Sequence, residues 1–131
     1  MSDNKAMIRG IFEALANGDS RPFISALADD VTWRVMGGTQ WSGTYRGKST
    51  VVGDLLGQLG QRLAGRYRAS AERIIAEDPF VVVQARGEAT TKAGAPYNNE
   101  YCFVYRIEDG AIREVTEYMD TELVTAALTM S

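Results

Sequence analysis

The sequence contains no histidine. This absence excludes Ser-His-Asp and Cys-His nucleophilic catalysis, and it removes the commonest metal ligand and the usual proton shuttle near neutral pH. Any acid–base chemistry must therefore use Asp, Glu, Tyr or Lys. A carboxylate in that role needs a pKa that burial has raised.

Cysteine and long apolar runs are also scarce. The single cysteine, Cys102, cannot form an internal disulfide, which favours a reducing compartment. No apolar run approaches the ~20 residues that span a bilayer. The first residues, Met-Ser-Asp-Asn-Lys, lack the apolar region of a signal peptide. We therefore expect a cytoplasmic protein that does not insert into a membrane.

Positive charge is not in excess. The net charge of −3 and the pI near 5.0 argue against a nucleic-acid-binding surface. The charged fraction of 24% and the hydrophobic fraction of 45% are typical of a globular protein. With 131 residues, the chain is expected to form one domain over 1–131 with a single core.

Residues 97–120 are the most informative segment. Asp109-Gly110 predicts a two-residue hairpin turn, because Gly, and Asp at some cost, tolerate positive φ. Direct pairing across this turn gives one face with the pairs Ile107–Ile112, Tyr105–Glu114, Phe103–Thr116, Tyr101–Tyr118 and Asn99–Asp120. Such a face is an aromatic wall ending in an amide and a carboxylate, as in a small-molecule pocket. The alternative is a sheet face covered by helices, with Asp120 starting the next helix.

The opposite face of this hairpin has a mixed character. In the same register it carries Glu100, Cys102, Val104 and Arg106, facing Met119, Glu117, Val115 and Arg113. Its charges make it a poor core, and its apolar residues make it an awkward solvent surface.

The first half of the chain is mainly helical in pattern. The predicted elements are a helix from 3 to about 17 followed by Gly18, a short helix capped by Ser20, a strand at 31–35, a Gly-rich loop with Trp41, and a helix capped by Ser49. Strands at 67–77 and 80–91 and a closing helix at 121–130 complete the prediction. Helices followed by antiparallel strands predict an α+β fold, in which a curved sheet and its helices enclose a cone.

This order of elements resembles the SnoaL-like proteins of the NTF2-like superfamily. The resemblance rests on LADDVTW at 27–33, GTYRGK at 43–48, YNNEY at 97–101, DGAI at 109–112 and EYMD at 117–120. It implies an NTF2-like cone, a curved antiparallel sheet wrapped around N-terminal helices with an internal pocket. NTF2-like proteins commonly pair through the outer sheet face, so the resemblance also implies a homodimer.

The resemblance implies a set of catalytic positions. In the SnoaL polyketide cyclases the aspartate that closes the last strand is the acid–base residue, and Asp120 matches it. In members similar to limonene epoxide hydrolase, an Arg and an Asp two residues apart join that aspartate around a water. Arg86 and Glu88 fall near those two positions, with Glu in place of Asp. Trp33 and Val35 stand where that subfamily has the Tyr and Asn that hold the water.

Ketosteroid isomerase shares the fold, and comparison with it implies that this chain lacks the two acidic groups of that enzyme. Phe103 stands where its oxyanion-hole acid would be, and Val35 stands about where its general base would be. No appreciable ketosteroid isomerase activity is therefore expected.

Each candidate residue also has a structural interpretation. Asp120 could cap the last helix, and Arg86 and Glu88 could form a surface ion pair. The aromatic residues predicted to contact a ligand are Tyr101, Phe103, Tyr105, Tyr118, Trp33 and Trp41. All of them could equally be core, although Trp41 in its Gly-rich loop could form a lid.

Three functional hypotheses follow for the small-molecule pocket. In the first, Asp120 performs isomerase, cyclase or hydrolase chemistry on an apolar molecule, Asn99 and a tyrosine orient it, and neither a metal nor an organic cofactor is needed. In the second, the pocket binds a ligand without chemistry. In the third, the protein is a dimeric interaction module whose pocket is filled by its own side chains.

Overall fold

The computed structural model describes residues 3–129. Its elements are α1 (Asn4–Ala16), α2 (Arg21–Ala26), β1 (Leu27–Val35), β2 (Gly43–Arg46), α3 (48–62), β3 (Leu63–Glu77), β4 (Phe80–Thr91), β5 (Glu100–Glu108), β6 (Ala111–Met119) and α4 (Thr121–Ala127). The α3 segment has three consecutive stretches, Lys48–Thr50, a π-helical Val51–Gly57, and Gln58–Arg62. The last residue of the predicted closing helix, Met130, lies outside the described residues.

The strands form one curved, unclosed sheet in the order β2-β1-β6-β5-β4-β3. Neighbouring strands are antiparallel except β1 and β6, which run parallel and place Trp33 beside Val115. The predicted α+β fold of sheet and covering helices is confirmed. Within residues 3–129, no helix is long and apolar enough to cross a membrane.

One face of α1 is apolar and packs on the sheet. Ile8, Ile11 and Phe12 are buried, and Phe12 packs against the rings of Phe103 and Tyr105 on β5. Gly18 has φ +77°, which is the left-handed conformation expected just after the helix. The chain reverses direction at Gly18, and residues of both α1 and α2 line the cavity on the inner face of the sheet.

Some local predictions were wrong. Ser20 occupies the predicted N-cap position of α2, but its side chain makes no capping hydrogen bond; the Asp19 carboxylate accepts one from the backbone N–H of Arg21 at 3.1 Å. Ser49 lies inside α3, whose N-cap residue is Gly47. The Gly-rich loop contains strand β2, which pairs with β1 and was not predicted. Its four-residue length and largely exposed side chains leave no apolar alternation in the sequence.

The predicted hairpin forms, but its register was wrong. Asp109 and Gly110 have φ of +53° and +72°, so the turn is of the expected kind, and Ile107 pairs with Ile112. A β-bulge then inserts Arg113, because Arg106 pairs with Glu114. Beyond the bulge every residue of β6 points to the face opposite to the predicted one, since side chains alternate along a strand.

Candidate functional site

A cavity of about 250 Å³ lies between the inner face of the sheet and the helices. Aromatic and aliphatic side chains dominate its lining, which is Phe12, Leu15, Ser20, Phe23, Ile24, Trp33, Val35, Trp41, Leu55, Leu56, Leu59, Gly60, Leu63, Tyr67, Ala69, Tyr97, Tyr101, Phe103, Tyr105, Glu117, Met119, Val124 and Leu128. Its volume is slightly below the usual range for ligand pockets, which favours a compact molecule.

The floor of the cavity is a ladder of three aromatic rings on β5. Tyr101, Phe103 and Tyr105 alternate with outward residues, so all three side chains lie on the inner face. Phe103 stacks on Tyr101 with ring centroids 4.9 Å apart and on Tyr105 at 5.7 Å. The predicted aromatic wall is therefore present for these three residues.

Glu117 is the charged residue of the cavity, and sequence reasoning missed it. The bulge at Arg113 places it on the inner face opposite Phe103. Its Oε1 accepts a hydrogen bond from Trp33 Nε1 at 2.9 Å. Among residues 3–129 its Oε2 accepts no hydrogen bond, and the half-buried side chain lines the cavity.

The environment of Glu117 changes its acidity. Burial among apolar side chains raises the pKa of Glu117 from 4.5 to about 7, and the Trp33 hydrogen bond offsets part of that rise. The negative charge of Glu117 in turn contributes to a raised pKa at Tyr67, Tyr97, Tyr101 and Tyr105, whose main cause is burial. A carboxyl group with a pKa of about 7 can both lose and regain a proton near neutral pH.

Tyrosine hydroxyls form a second polar region of the cavity. Tyr97 accepts a hydrogen bond from Asn99 Nδ2 at 3.2 Å, and the hydroxyls of Tyr67 and Tyr101 are hydrogen-bond partners. Since burial raises the pKa of all three, they remain protonated at neutral pH and can donate hydrogen bonds.

Asn99 is near the predicted place but has another role. Its Nδ2 also donates to the Asp120 carbonyl at 3.1 Å, and its Oδ1 accepts from the backbone N–H groups of Glu100 and Asp120 at 2.7 and 3.0 Å. Both amide hydrogens and both acceptor positions are therefore occupied. Asn99 therefore has no free donor or acceptor for the predicted contact with a ligand. Its side chain instead links Glu100, at the start of β5, to Asp120, just after β6.

Asp120 does not face the cavity. Its Oδ1 accepts hydrogen bonds from the backbone N–H groups of Glu122 at 3.0 Å and Leu123 at 3.2 Å, and the side chain is exposed. The helix-cap interpretation of Asp120 therefore describes its position, because a carboxylate turned back to cap α4 cannot also reach the cavity.

Arg86 and Glu88 do not join a buried polar cluster. Both side chains lie on the outer face of β4, where Arg86 pairs with Glu100 at 3.2 Å and approaches Glu72 at 3.8 Å. The expected cluster with Asp120 was wrong, because neighbours at 85 and 87 occupy the inner face.

Of the remaining aromatic residues predicted to contact a ligand, Trp33 and Trp41 line the cavity and Tyr118 does not. Tyr118 is 45% exposed on the outer face, so its predicted place in the aromatic wall was wrong as a result of the bulge. Trp33 lines the cavity and holds Glu117. Trp41 also lines the cavity, but it is buried and its Nε1 donates to the Leu128 carbonyl at 2.8 Å, so the structure places it as a fixed wall rather than a lid.

The sequence profile of the SnoaL-like domain family matches residues 8–115. The chain belongs to the SnoaL-like family. No curated protein matched this SnoaL-like domain. Among residues 3–129 there is also no group of three or more Cys, Asp or Glu side chains arranged to hold a metal ion.

Solved structures share its NTF2-like fold. An NTF2-like protein of unknown function from Burkholderia pseudomallei K96243 is 24% identical, with 99% of this chain and 100% of that chain covered and a TM-score of 0.83. TerC, co-crystallised with polyporic acid, is 21% identical, with 96% and 98% covered and a TM-score of 0.80. A putative SnoaL-like polyketide cyclase from Jannaschia sp. CCS1 is 14% identical, with 98% and 93% covered and a TM-score of 0.77. At these identities the likeness shows the fold alone.

Proposed function

We propose that this SnoaL-like domain binds a small, largely apolar molecule in its cavity and that Glu117 acts on it as an acid–base group. One observation carries the proposal: among residues 3–129, Glu117 is the only Asp, Glu, Lys or Arg that lines the cavity, and its Oε2 accepts no hydrogen bond from them. A carboxyl group whose pKa lies near the working pH both takes and returns a proton efficiently.

The geometry favours isomerisation, cyclisation or hydration without a metal or an organic cofactor. In the simplest case, ionised Glu117 takes a proton from a carbon next to a carbonyl, and the C–H electron pair moves to form an enolate. Protonated Glu117 then returns the proton to another carbon of the same molecule. The TerC co-crystal supports the use of this fold for an organic ligand. The Jannaschia protein supports a cyclase among the candidate activities.

Ligand and reaction can be tested in sequence. A thermal-shift screen against hydrophobic cyclic ketones, epoxides and phenols is expected to give hits, because a ligand at a hundredfold excess over its Kd stabilises the folded state by about 2.7 kcal/mol, or several degrees. Hits are then assayed for turnover with wild type, Glu117→Gln and Asp120→Asn. We expect Glu117→Gln to retain binding and to lose about 10²-fold or more in rate.

Asp120→Asn is the matched control, because it makes the same carboxyl-to-amide change and Asn caps a helix as well as Asp does. It should keep turnover. If Asp120→Asn lost turnover while Glu117→Gln kept it, Asp120 and not Glu117 would be the catalytic residue. Binding by wild type and Glu117→Gln without turnover by either would favour the ligand-binding module. No hits across the panel would favour the interaction module.

We also propose that the domain forms a homodimer through the outer sheet face. With the bulge included, this face carries half-buried Val82, Cys102 and Val104 beside exposed Phe80 and Tyr118. It is flanked by pairs of opposite charge, Arg86–Glu100 and Arg106–Glu114. A face that mixes both signs around apolar residues suits a two-fold interface, which must be complementary to itself.

The dimer has a direct test. Light scattering at micromolar concentration should give twice the monomer mass for wild type and the monomer mass for Val104→Glu, because a charge at the centre of an interface is left unpaired. Gln61→Glu, which adds the same charge at an exposed position of α3, should remain dimeric. A monomeric wild type would rule out this proposal.

A further inference from the structure

Tyr67 reaches the cavity through an irregularity in β3. Between the pairs Ala64–Thr90 and Arg68–Glu88, β3 has the three residues 65–67 where β4 has only one. Gly65, with φ +73°, provides the left-handed residue that this bulge uses. Tyr67 emerges on the inner face and lines the cavity, although it belongs to the strand at the edge of the sheet.

Gly87 makes room for the Tyr67 hydroxyl. A Cβ atom at position 87 would lie 2.8 Å from Tyr67 Oη and 2.9 Å from Tyr101 Cε2, both closer than real contacts allow. The missing side chain lets the Tyr67 and Tyr101 rings meet edge to face, with centroids 6.5 Å apart. The Tyr67 hydroxyl can therefore occupy this position only because residue 87 of β4 is a glycine.

The hydrogen bonds of these tyrosines leave one donor unused. Tyr101 is the hydrogen-bond partner of both Tyr67 and Tyr97, and these two bonds use two of the three hydroxyl hydrogens. The bond between Tyr67 and Tyr101 contributes a lower pKa to Tyr67 and a higher one to Tyr101, as when Tyr101 donates and Tyr67 accepts, so Tyr67 keeps its own hydrogen. Protonated hydroxyls in an apolar cavity require an acceptor, and an oxygen atom of a bound ligand would supply one.

We propose that Tyr67, held in place by Gly87 and Tyr101, donates a hydrogen bond to an uncharged oxygen of the ligand and so makes the cavity selective for neutral molecules. This inference rests on the proposed function, because it takes the cavity as the ligand site. The proposed occupant is a compact, uncharged compound with a carbonyl group on an apolar body.

Charged ligands fit the cavity less well. An anion would be buried beside Glu117, and the part of the chain that the structure describes contributes no Lys or Arg to the lining. A cation would be buried beside Glu117, but at pH 6, below the raised pKa of that carboxyl group, most of it is protonated and supplies no full counter-charge.

Four probes with one naphthalene body test this selectivity at pH 6. They are 2-acetylnaphthalene, 2-isopropenylnaphthalene (which replaces C=O by C=CH₂), 2-naphthoate and 2-naphthylmethylammonium. Calorimetric titration of wild type, Tyr67→Phe and Thr44→Val gives each Kd. Thr44→Val is the control, because it removes an exposed hydroxyl on β2, away from the cavity and from the proposed dimer face.

We expect the ketone to bind wild type at least tenfold more tightly than the anion or the cation. Tyr67→Phe should weaken the ketone about fivefold to tenfold, as loss of one hydrogen bond predicts, and leave the isopropenyl compound unchanged. Thr44→Val should change neither affinity. An equal effect of Tyr67→Phe on ketone and hydrocarbon, or no effect on either, overturns the inference but not the cavity. Tighter binding of either ion also overturns it. Binding of none of the probes counts against the proposed function itself.

Discussion

Replacement of Asn99 by leucine is expected to lower the free energy of unfolding by about 3–4 kcal/mol, since each lost hydrogen bond contributes about 1 kcal/mol and buried partners remain unpaired. The Asn99 side chain is fully buried and makes four hydrogen bonds. Leucine has a similar size but would leave the N–H and C=O groups of Asp120 and the N–H of Glu100 without this partner. Urea unfolding followed by circular dichroism measures the loss.

The neighbouring amide provides the control for this experiment. Asn98 is exposed and accepts one hydrogen bond, from the Ala89 N–H at 3.2 Å. Asn98→Leu should therefore cost less than about 1 kcal/mol. Equal losses in the two variants would mean that the buried network at Asn99 does not stabilise the junction of β5 and β6.

The wild-type protein is expected to lose stability as the pH rises from about 4.5 to about 7. Glu117 has a folded-state pKa of about 7 against 4.5 for the ordinary group. Between these values the unfolded state has lost the proton and the folded state retains it, so deprotonation favours unfolding. The free energy of unfolding should fall by about 1.4 kcal/mol per pH unit, up to about 3 kcal/mol in total, and level off above pH 7.

Glu117→Gln should remove this slope, because glutamine does not titrate. Unfolding midpoints and free energies in urea, measured at half-unit steps from pH 4.5 to 8, show whether it does. Glu114→Gln, on the same strand but exposed and paired with Arg106 at 2.7 Å, should retain the slope. If the slope persists in Glu117→Gln, another group must be responsible for it.

The larger elements could be predicted because their patterns are regular. The apolar spacing of α1 and the alternation along β5 each bury one face, and Asp109-Gly110 fixes the turn between β5 and β6. These local features, together with the motifs of the resemblance, led to the correct fold and to the aromatic floor of Tyr101, Phe103 and Tyr105.

The candidate site was harder to predict because it depends on two bulges. The residues of the turn do not indicate that Arg113 is the unpaired residue of a β-bulge. However, Ile112 and Val115, three apart and both buried, break the alternation and could have indicated it. Without that shift, the alternation along β6 places Glu117 on the outer surface of the sheet. Tyr67 depends in the same way on the irregular pairing at 65–67, which involves contacts with β4.

The extra residue in β6 also affects how relatives should be aligned. Here the acid inside the cavity is the seventh residue after Gly110. In a relative whose hairpin has no inserted residue, the equivalent position is the sixth. An alignment without a gap at Arg113 would then match Glu117 with a residue on the outer surface. A change of length by one residue beside the turn can therefore look like loss of the acid when its position in space is the same.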